Sequence, residues 1–219
     1  MNGSAIFTAV SGNSIIGDAD LSWGTKSLES VRIKVSYSNR RSYSFNLNAQ
    51  TPEGGILTLA GLYTARGKAS LETEIKLENF GYDYFLEFMY PDSELSNKIY
   101  TSHNFSIDGS IKASTDFKGF NLSSDNIRFS DNNEKEEYFS AVLYANEKNI
   151  SISEILLNYK NYTGAGFINI NMAHGSQFDL NSQFIVNNQI YNLKGNIFPG
   201  AGVIISGNYG FYLTFFTDN

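Results

Sequence analysis

Strict two-residue alternation of apolar and polar side chains over most of the chain constrains its fold more than any other sequence feature. It is clearest in 31–37, where Arg32, Lys34 and Ser36 separate four apolar side chains. The same pattern recurs in four further stretches, 17–23, 43–49, 69–77 and 105–111. Alternation of this kind is typical of β-strands with one buried face. We therefore predict an all-β chain, a long antiparallel meander of a dozen or more strands with one apolar and one polar face.

Two of these stretches are predicted to form a hairpin. The segments 31–38 and 42–49 are separated only by Asn39-Arg40-Arg41, which is short enough for a tight turn. In this hairpin Ile33 and Phe45 should lie on the same side of one sheet.

The alternation is lost between residues 82 and 100, which we interpret as a non-strand insertion in an otherwise single segment covering 1–219. Tyr84, Phe85, Phe88 and Met89 have spacings that suit one helical face. We predict a short helix near 83–90 that packs on the apolar face and closes one side or end of it. Pro91 would stop this helix, and an ordinary hydrophobic loop is the alternative.

Charge and composition exclude several classes of protein. The chain has 22 acidic and 16 basic residues in 219, a net charge of −6 and a pI near 4.9, so a nucleic-acid partner is not expected. It has no cysteine, which removes disulfides and thiolate metal sites. No apolar run approaches the roughly 18 residues of a transmembrane helix.

The residues that catalysis would need are missing or scattered. His103 and His174 are the only histidines, and neither belongs to a nucleophile motif or to a metal-ligand spacing. The acidic stretch 131–137 lacks the glycine of an EF-hand calcium loop and the spacing of its terminal glutamate, so we interpret it as a solvated hairpin turn. We therefore predict no enzyme activity, no cofactor and no metal site.

The apolar face has two possible roles. Most alternating sheets bury such a face in a closed sandwich or barrel core. Alternatively, the face lines an open groove that holds lipid chains, because few helical segments exist to cover it. The predicted lining residues are Leu21, Trp23, Val31, Ile33, Val35, Tyr37, Tyr43, Phe45, Leu47, Leu71, Ile75, Leu77, Phe105, Ile107, Ile111, Ile150, Ile152 and Phe167.

Two stretches, 105–129 and 150–171, share a rhythm of strand, short link, strand and glycine, which recurs at 190–197 and 203–216. This rhythm resembles the repeating units of the TamB and AsmA-like envelope proteins. The resemblance implies an open half-pipe, or β-taco, with an apolar interior, here as an internal fragment of a longer chain. It also implies a bridge across the periplasm that passes phospholipid between the inner and outer membranes.

The same resemblance implies further partners and a location. The TamB branch is linked to outer-membrane protein assembly, so an outer-membrane barrel is an expected partner beside phospholipid. The export or membrane-anchor signal would lie outside this chain. Two other functions stay open from the residues alone: an outer-membrane β-barrel, and a surface adhesin or structural β domain.

Overall fold

The computed structural model describes residues 2–11, 13–23, 26–39, 41–65, 67–84, 105–134, 136–172, 177–198, 202–208 and 212–216, which are called the described residues. They form sixteen β-strands and one helical turn at 82–84. The strands are β1 (Asn2–Ser11), β2 (Ser14–Trp23), β3 (Lys26–Asn39), β4 (Ser42–Gln50), β5 (Ile56–Thr64), β6 (Ser70–Gly81), β7 (Phe105–Thr115), β8 (Phe120–Ser124), β9 (Ile127–Asp131), β10 (Tyr138–Asn146), β11 (Asn149–Tyr159), β12 (Tyr162–Met172), β13 (Phe178–Val186), β14 (Gln189–Phe198), β15 (Gly202–Gly207) and β16 (Tyr212–Phe216).

All sixteen strands belong to one antiparallel sheet in which strands that follow one another in sequence are paired, except β8 and β9. The strands β8 and β9 together fill one position, because both lie between β7 and β10. Fifteen positions at about 4.8 Å each give a sheet about 70 Å wide. Among the described residues β1 pairs only with β2 and β16 only with β15, so the curled sheet is open. The predicted all-β meander is confirmed.

The predicted hairpin is confirmed as β3 and β4. Ile33 is directly opposite Leu47, and Val35 is directly opposite Phe45. Residues directly opposite each other in a pair of strands share a face of the sheet. Ile33 and Phe45 therefore lie on the same side, as the alternation predicts.

The apolar face continues across the later strands. Ile152 of β11 is opposite both Leu143 of β10 and Ile168 of β12. Phe167 is an exception among the predicted lining residues. It is adjacent to Ile168 and opposite Gln183, so it lies on the polar face. The prediction for Phe167 was wrong because it followed side-chain type, whereas the strand alternation assigns this face to Gly166 and Ile168.

Three strands each contain one extra residue relative to a paired strand, β3 and β11 against both neighbours and β6 against β7, and each extra residue adopts a left-handed backbone conformation. Ser30 in β3, Asn79 in β6 and Glu154 in β11 have φ values of 51°, 46° and 49°. A fourth irregularity separates β8 from β9, where four steps from Ser124 to Arg128 oppose three steps in β7. Such β-bulges bend a strand and increase its twist.

The four bulges fall on one line across the sheet. Ser30 is opposite Ala49, and the register then leads through Leu57 and Leu77 to Gly109. On the far side of β9 the line passes through Ala141 and reaches the bulge of β11. Because every bulge bends its own strand, bulges at one level bend the sheet along that line between β3 and β11. This line, called the crease, lies among the most buried apolar residues: Val31, Ala49, Leu77, Ala141 and Ile155.

The bulge at Glu154 gives a testable prediction of backbone strain. We expect Glu154→Gly to raise the free energy of unfolding by about 0.5–1 kcal/mol, because glycine adopts a left-handed conformation without steric cost. Glu154→Val should lower it by about 1–2 kcal/mol, because a β-branched residue disfavours that conformation. The Glu154 side chain is exposed, so neither substitution removes buried contacts and the stability difference reports on the backbone conformation. Urea unfolding of the two variants measures both effects, and equal stabilities would contradict the strained bulge.

Candidate functional site

The register brings sixteen of the eighteen predicted lining residues onto one face. These are Leu21, Val31, Ile33, Val35, Tyr37, Tyr43, Phe45, Leu47, Leu71, Ile75, Leu77, Phe105, Ile107, Ile111, Ile150 and Ile152. Phe167 lies on the other face, and the Trp23 side chain is outside the described residues. Three of the sixteen, Val31, Leu77 and Ile107, are buried in a closed core near the crease and do not line an open surface.

Away from the crease the apolar face stays partly open. Ile33, Leu47, Leu59, Ile75 and Ile111 are each only partly buried, although they form adjacent rows across five strands. A closed sandwich would bury residues in such central positions against a second layer. Among the described residues no second sheet covers them.

On the apolar face, a small residue of β5 lies opposite a large residue of β4, so that the two strands fit together. The Phe45 ring lies over the backbone of Gly61, where any side chain at position 61 would collide with it. Two residues further along, the Tyr43 ring stacks on Tyr63 with a centroid distance of 6.2 Å. The glycine in β5 therefore makes room for an aromatic side chain from β4.

One end of the apolar face is covered by the chain that follows β6. Tyr84 in the helical turn is 3% exposed and packs with its ring centroid 5.2 Å from that of Phe80. It belongs to the buried cluster of Ala19, Leu28, Val31, Ala49, Leu77, Phe80 and Ile107. The structure therefore confirms that Tyr84 packs on the apolar face. The rest of the predicted helix, with Phe85, Phe88 and Met89, lies outside the described residues.

Polar contacts hold this turn in place across the sheet. The Tyr84 hydroxyl donates to Glu53 Oε2 at 2.7 Å, in the turn between β4 and β5. Lys26 at the start of β3 pairs with Asp83, and its Nζ lies 4.9 Å from the centroid of the Tyr84 ring. We call Lys26, Glu53, Asp83 and Tyr84 the latch. It joins β3, the β4–β5 turn and the end of β6.

The latch shifts the pKa of two of its members. Burial raises the pKa of Tyr84, and its hydrogen bond to the Glu53 carboxylate raises it further above the ordinary 10.0. Burial also raises the pKa of Glu53. Hydrogen bonds from Tyr84, from its own backbone amide and from Thr51, with the charge of Lys26, outweigh that effect. The net pKa of Glu53 is therefore below its ordinary 4.5.

These shifts predict an acid-dependent stability. A carboxyl group with a lowered folded-state pKa stabilises the fold fully above its unfolded pKa and loses this contribution as pH falls through the folded value. We expect the stability difference between the native chain and Glu53→Gln to be constant above about pH 4.5 and to shrink below it. Thermal unfolding over pH 3–7 measures it, and a difference that does not change with pH would contradict the predicted role of Glu53.

The polar face holds two open clefts that the sequence does not indicate. The larger, about 540 Å³, crosses β4 to β8 and is lined by Asn46, Glu72, Glu74, Lys112 and Ser123 among others. Glu74 lies 3.7 Å from both Lys76 and Lys112. The smaller, about 320 Å³, adjoins Asp116 and Glu147. Sequence alternation predicts only that these residues face solvent, and it does not predict that the sheet forms clefts there.

The structure offers no assembled catalytic or metal centre in its described part. No group of three or more His, Asp or Glu side chains is placed to hold a metal there, and both histidines lie outside the described residues. The stretch 131–137 joins β9 and β10, with the Asp131 amide donating to the Glu137 carbonyl at 3.0 Å. Its interpretation as a hairpin turn is confirmed. None of the described helical residues forms a helix long and apolar enough to span a membrane.

Comparison with known proteins gives no relative: the chain matches no protein-family model, no curated protein and no solved structure.

Proposed function

We propose that this chain is a bridge segment of the cell envelope whose apolar face carries phospholipid acyl chains across the periplasm. It would act between the inner and outer membranes as part of a longer chain, with an outer-membrane barrel as a further partner. The location and the partner follow from the resemblance to TamB and AsmA-like proteins.

The observation that supports the proposal best is one apolar face that runs through the sheet, with no second layer over its centre in the part of the chain that the structure describes. Its row of Ile33, Leu47, Leu59, Ile75 and Ile111 is in direct cross-strand register and only partly buried. Large contiguous apolar surfaces are rare on soluble proteins and mark binding sites. A flexible aliphatic ligand is the chemistry that such an uncharged surface fits.

The dimensions and energies suit an acyl chain. A nine-residue strand such as β4 is about 30 Å long, and an acyl chain spans about half of a 30 Å bilayer core. Each methylene removed from water contributes about 0.8 kcal/mol, so some 16 carbons contribute on the order of 10 kcal/mol if fully covered. Partial cover lowers this value, which favours exchange along the face over tight capture.

The polar clefts fit a lipid tail poorly. The larger holds the charged groups of Glu72, Glu74 and Lys112 beside Ala60, Leu62 and Ala113, and an apolar chain there would remove water from the charged groups without replacing its hydrogen bonds. The two faces of the sheet therefore make opposite predictions for where a lipid binds.

Native mass spectrometry of the chain purified from bacteria tests the proposal. We expect phospholipid adducts on the native chain and a severalfold loss in Ile111→Asp, which places a charge on the apolar face. Lys112→Asp is the matched control on the polar face of the same strand, because Lys112 is exposed. Absence of lipid from the native chain, or equal loss in both folded variants, would contradict the proposal.

A further inference from the structure

One edge of the sheet combines exposed aromatic side chains with cationic turns. The connections after β3, β5 and β7 meet there as neighbours. Tyr37, Tyr43 and Phe117 are 42%, 41% and 62% exposed, although all three are large and partly apolar. We call this edge the basic aromatic rim and define it by Tyr37, Tyr43, Tyr63, Phe117, Arg41, Lys68 and Lys118.

Contacts between the three connections make the rim one surface. The Phe117 ring meets the Tyr63 ring edge-on, with centroids 6.4 Å apart, and Tyr63 stacks in turn on Tyr43. The backbone amide of Ala65 donates to the Arg41 carbonyl at 2.7 Å. The cationic residues Arg41, Lys68 and Lys118 are exposed on the same three connections.

Phe117 is held in a conformation that its residue type disfavours. Its φ is 63°, in the left-handed region where glycine or asparagine is expected in a turn. The turn fixes it there, since the Phe117 amide donates to Thr115 Oγ1 at 2.9 Å and the next two amides donate to Asp116. An exposed aromatic ring on a strained turn tip does little for the fold, and such strain concentrates at functional positions.

The charge of the rim is opposite to that of the protein. The three connections of the rim, 39–41, 65–68 and 116–119, carry five cations and one carboxylate, that of Asp116, in a chain of net charge −6. The opposite edge includes the connection 131–137, which has four carboxylates and one lysine. The sheet is therefore electrically polar along its strands, and the rim is the end that attracts anions.

We propose that the basic aromatic rim docks on the surface of a bilayer that contains anionic phospholipid. Cationic side chains attract the headgroups, while tyrosine and phenylalanine rings settle at the boundary between headgroups and acyl chains. The acidic edge of a second copy would neutralise the cations, but its 131–137 connection offers no apolar side chain to the rings. A bilayer interface satisfies both chemistries at once.

Docking at the rim does not depend on lipid being carried on the apolar face. The apolar face reaches the rim through Tyr37 and Tyr43, and its other end is covered by Tyr84. Docking would hold the uncovered end against the membrane. Variants at Arg41, Lys68 and Phe117, which are not among the predicted lining residues, should leave the phospholipid adducts of the purified chain unchanged, so the two proposals fail separately.

Vesicle flotation tests the docking. We expect the native chain to bind vesicles of phosphatidylcholine with about one-third phosphatidylglycerol, and to bind pure phosphatidylcholine vesicles much less. The double variant Arg41→Glu with Lys68→Glu should weaken vesicle binding at least about 25-fold, because each cation that is lost contributes about fivefold. The control is Arg32→Glu with Lys34→Glu, an identical charge change at exposed positions on the polar face. It should weaken binding far less.

Phe117→Gly separates docking from folding. Glycine relieves the left-handed strain, so we expect the melting temperature to be unchanged or raised while vesicle binding falls about tenfold. Phe117→Asn is the second variant if the glycine variant misfolds, because asparagine tolerates that conformation. Three results would overturn the docking proposal. The native chain could fail to bind the anionic vesicles, or a folded Phe117 variant could bind them as strongly as the native chain. The third is equal binding by the rim charge variant (Arg41→Glu with Lys68→Glu) and its control (Arg32→Glu with Lys34→Glu). A concentration-dependent mass that Arg41→Glu with Lys68→Glu abolishes would also overturn the docking proposal, in favour of a second copy.

Discussion

Val31→Asp should lower the free energy of unfolding by about 4 kcal/mol or more, because it buries an unpaired carboxylate. Val31 is 1% exposed and packs in the core next to the bulge at Ser30. Its surroundings include the apolar side chains of Ala19, Ala49 and Leu77. The charge would either force the carboxyl group to protonate or open the crease.

Ile33→Asp, two residues further along β3 on the same face, is the matched comparison. Ile33 is only partly buried, so its carboxylate keeps contact with water and the cost should be about 1–2 kcal/mol. Urea unfolding of both variants measures the difference. Should Val31→Asp fail to fold, Val31→Thr and Ile33→Thr give a milder pair with the same ordering. Equal losses would contradict a sheet that is closed at the crease and open beside it.

Tyr84→Ala should lower the free energy of unfolding by about 3–5 kcal/mol, the usual cost of removing a buried aromatic ring. The variant loses the contact with Phe80, the hydrogen bond to Glu53 and the ring beneath Lys26. Tyr84→Phe keeps the ring and should cost about 1 kcal/mol for the hydrogen bond alone.

The two Tyr84 variants also differ in what they expose. Tyr84→Ala uncovers the apolar cluster under the latch, so we expect it to bind an apolar dye such as ANS more strongly than the native chain, whereas Tyr84→Phe should not. Thermal unfolding with dye titration makes the comparison. A Tyr84→Ala variant with native stability and dye binding would show that the latch does not cover the apolar face.

Sequence alternation predicted the fold because the strands are long and nearly all keep one face apolar. Residues 31–37 and 43–49 alternate without a break, so the face and the pairing of β3 and β4 follow from them directly. Phe167 was misplaced because residue type and position disagree there. Its neighbour Gly166 belongs to the apolar face but has no side chain to reveal it.

The crease, the latch and the clefts were not predictable in the same way. Ser30, Asn79 and Glu154 are ordinary polar residues, and nothing local marks them as left-handed bulges. Their alignment depends on the register of all the strands from β3 to β11. The latch joins residues 57 and 31 positions apart, so it forms only after the sheet has brought them together.

Photo-crosslinking at alternate positions of β5 tests the central claim most directly. Leu57 and Leu59 belong to the apolar face, while Thr58 and Ala60 belong to the polar face. With a photoreactive amino acid at each position in turn, we predict lipid crosslinks in living bacteria at 57 and 59 and none above background at 58 and 60. Crosslinks to lipid at 58 and 60, or at none of the four positions, would contradict an apolar face that carries acyl chains.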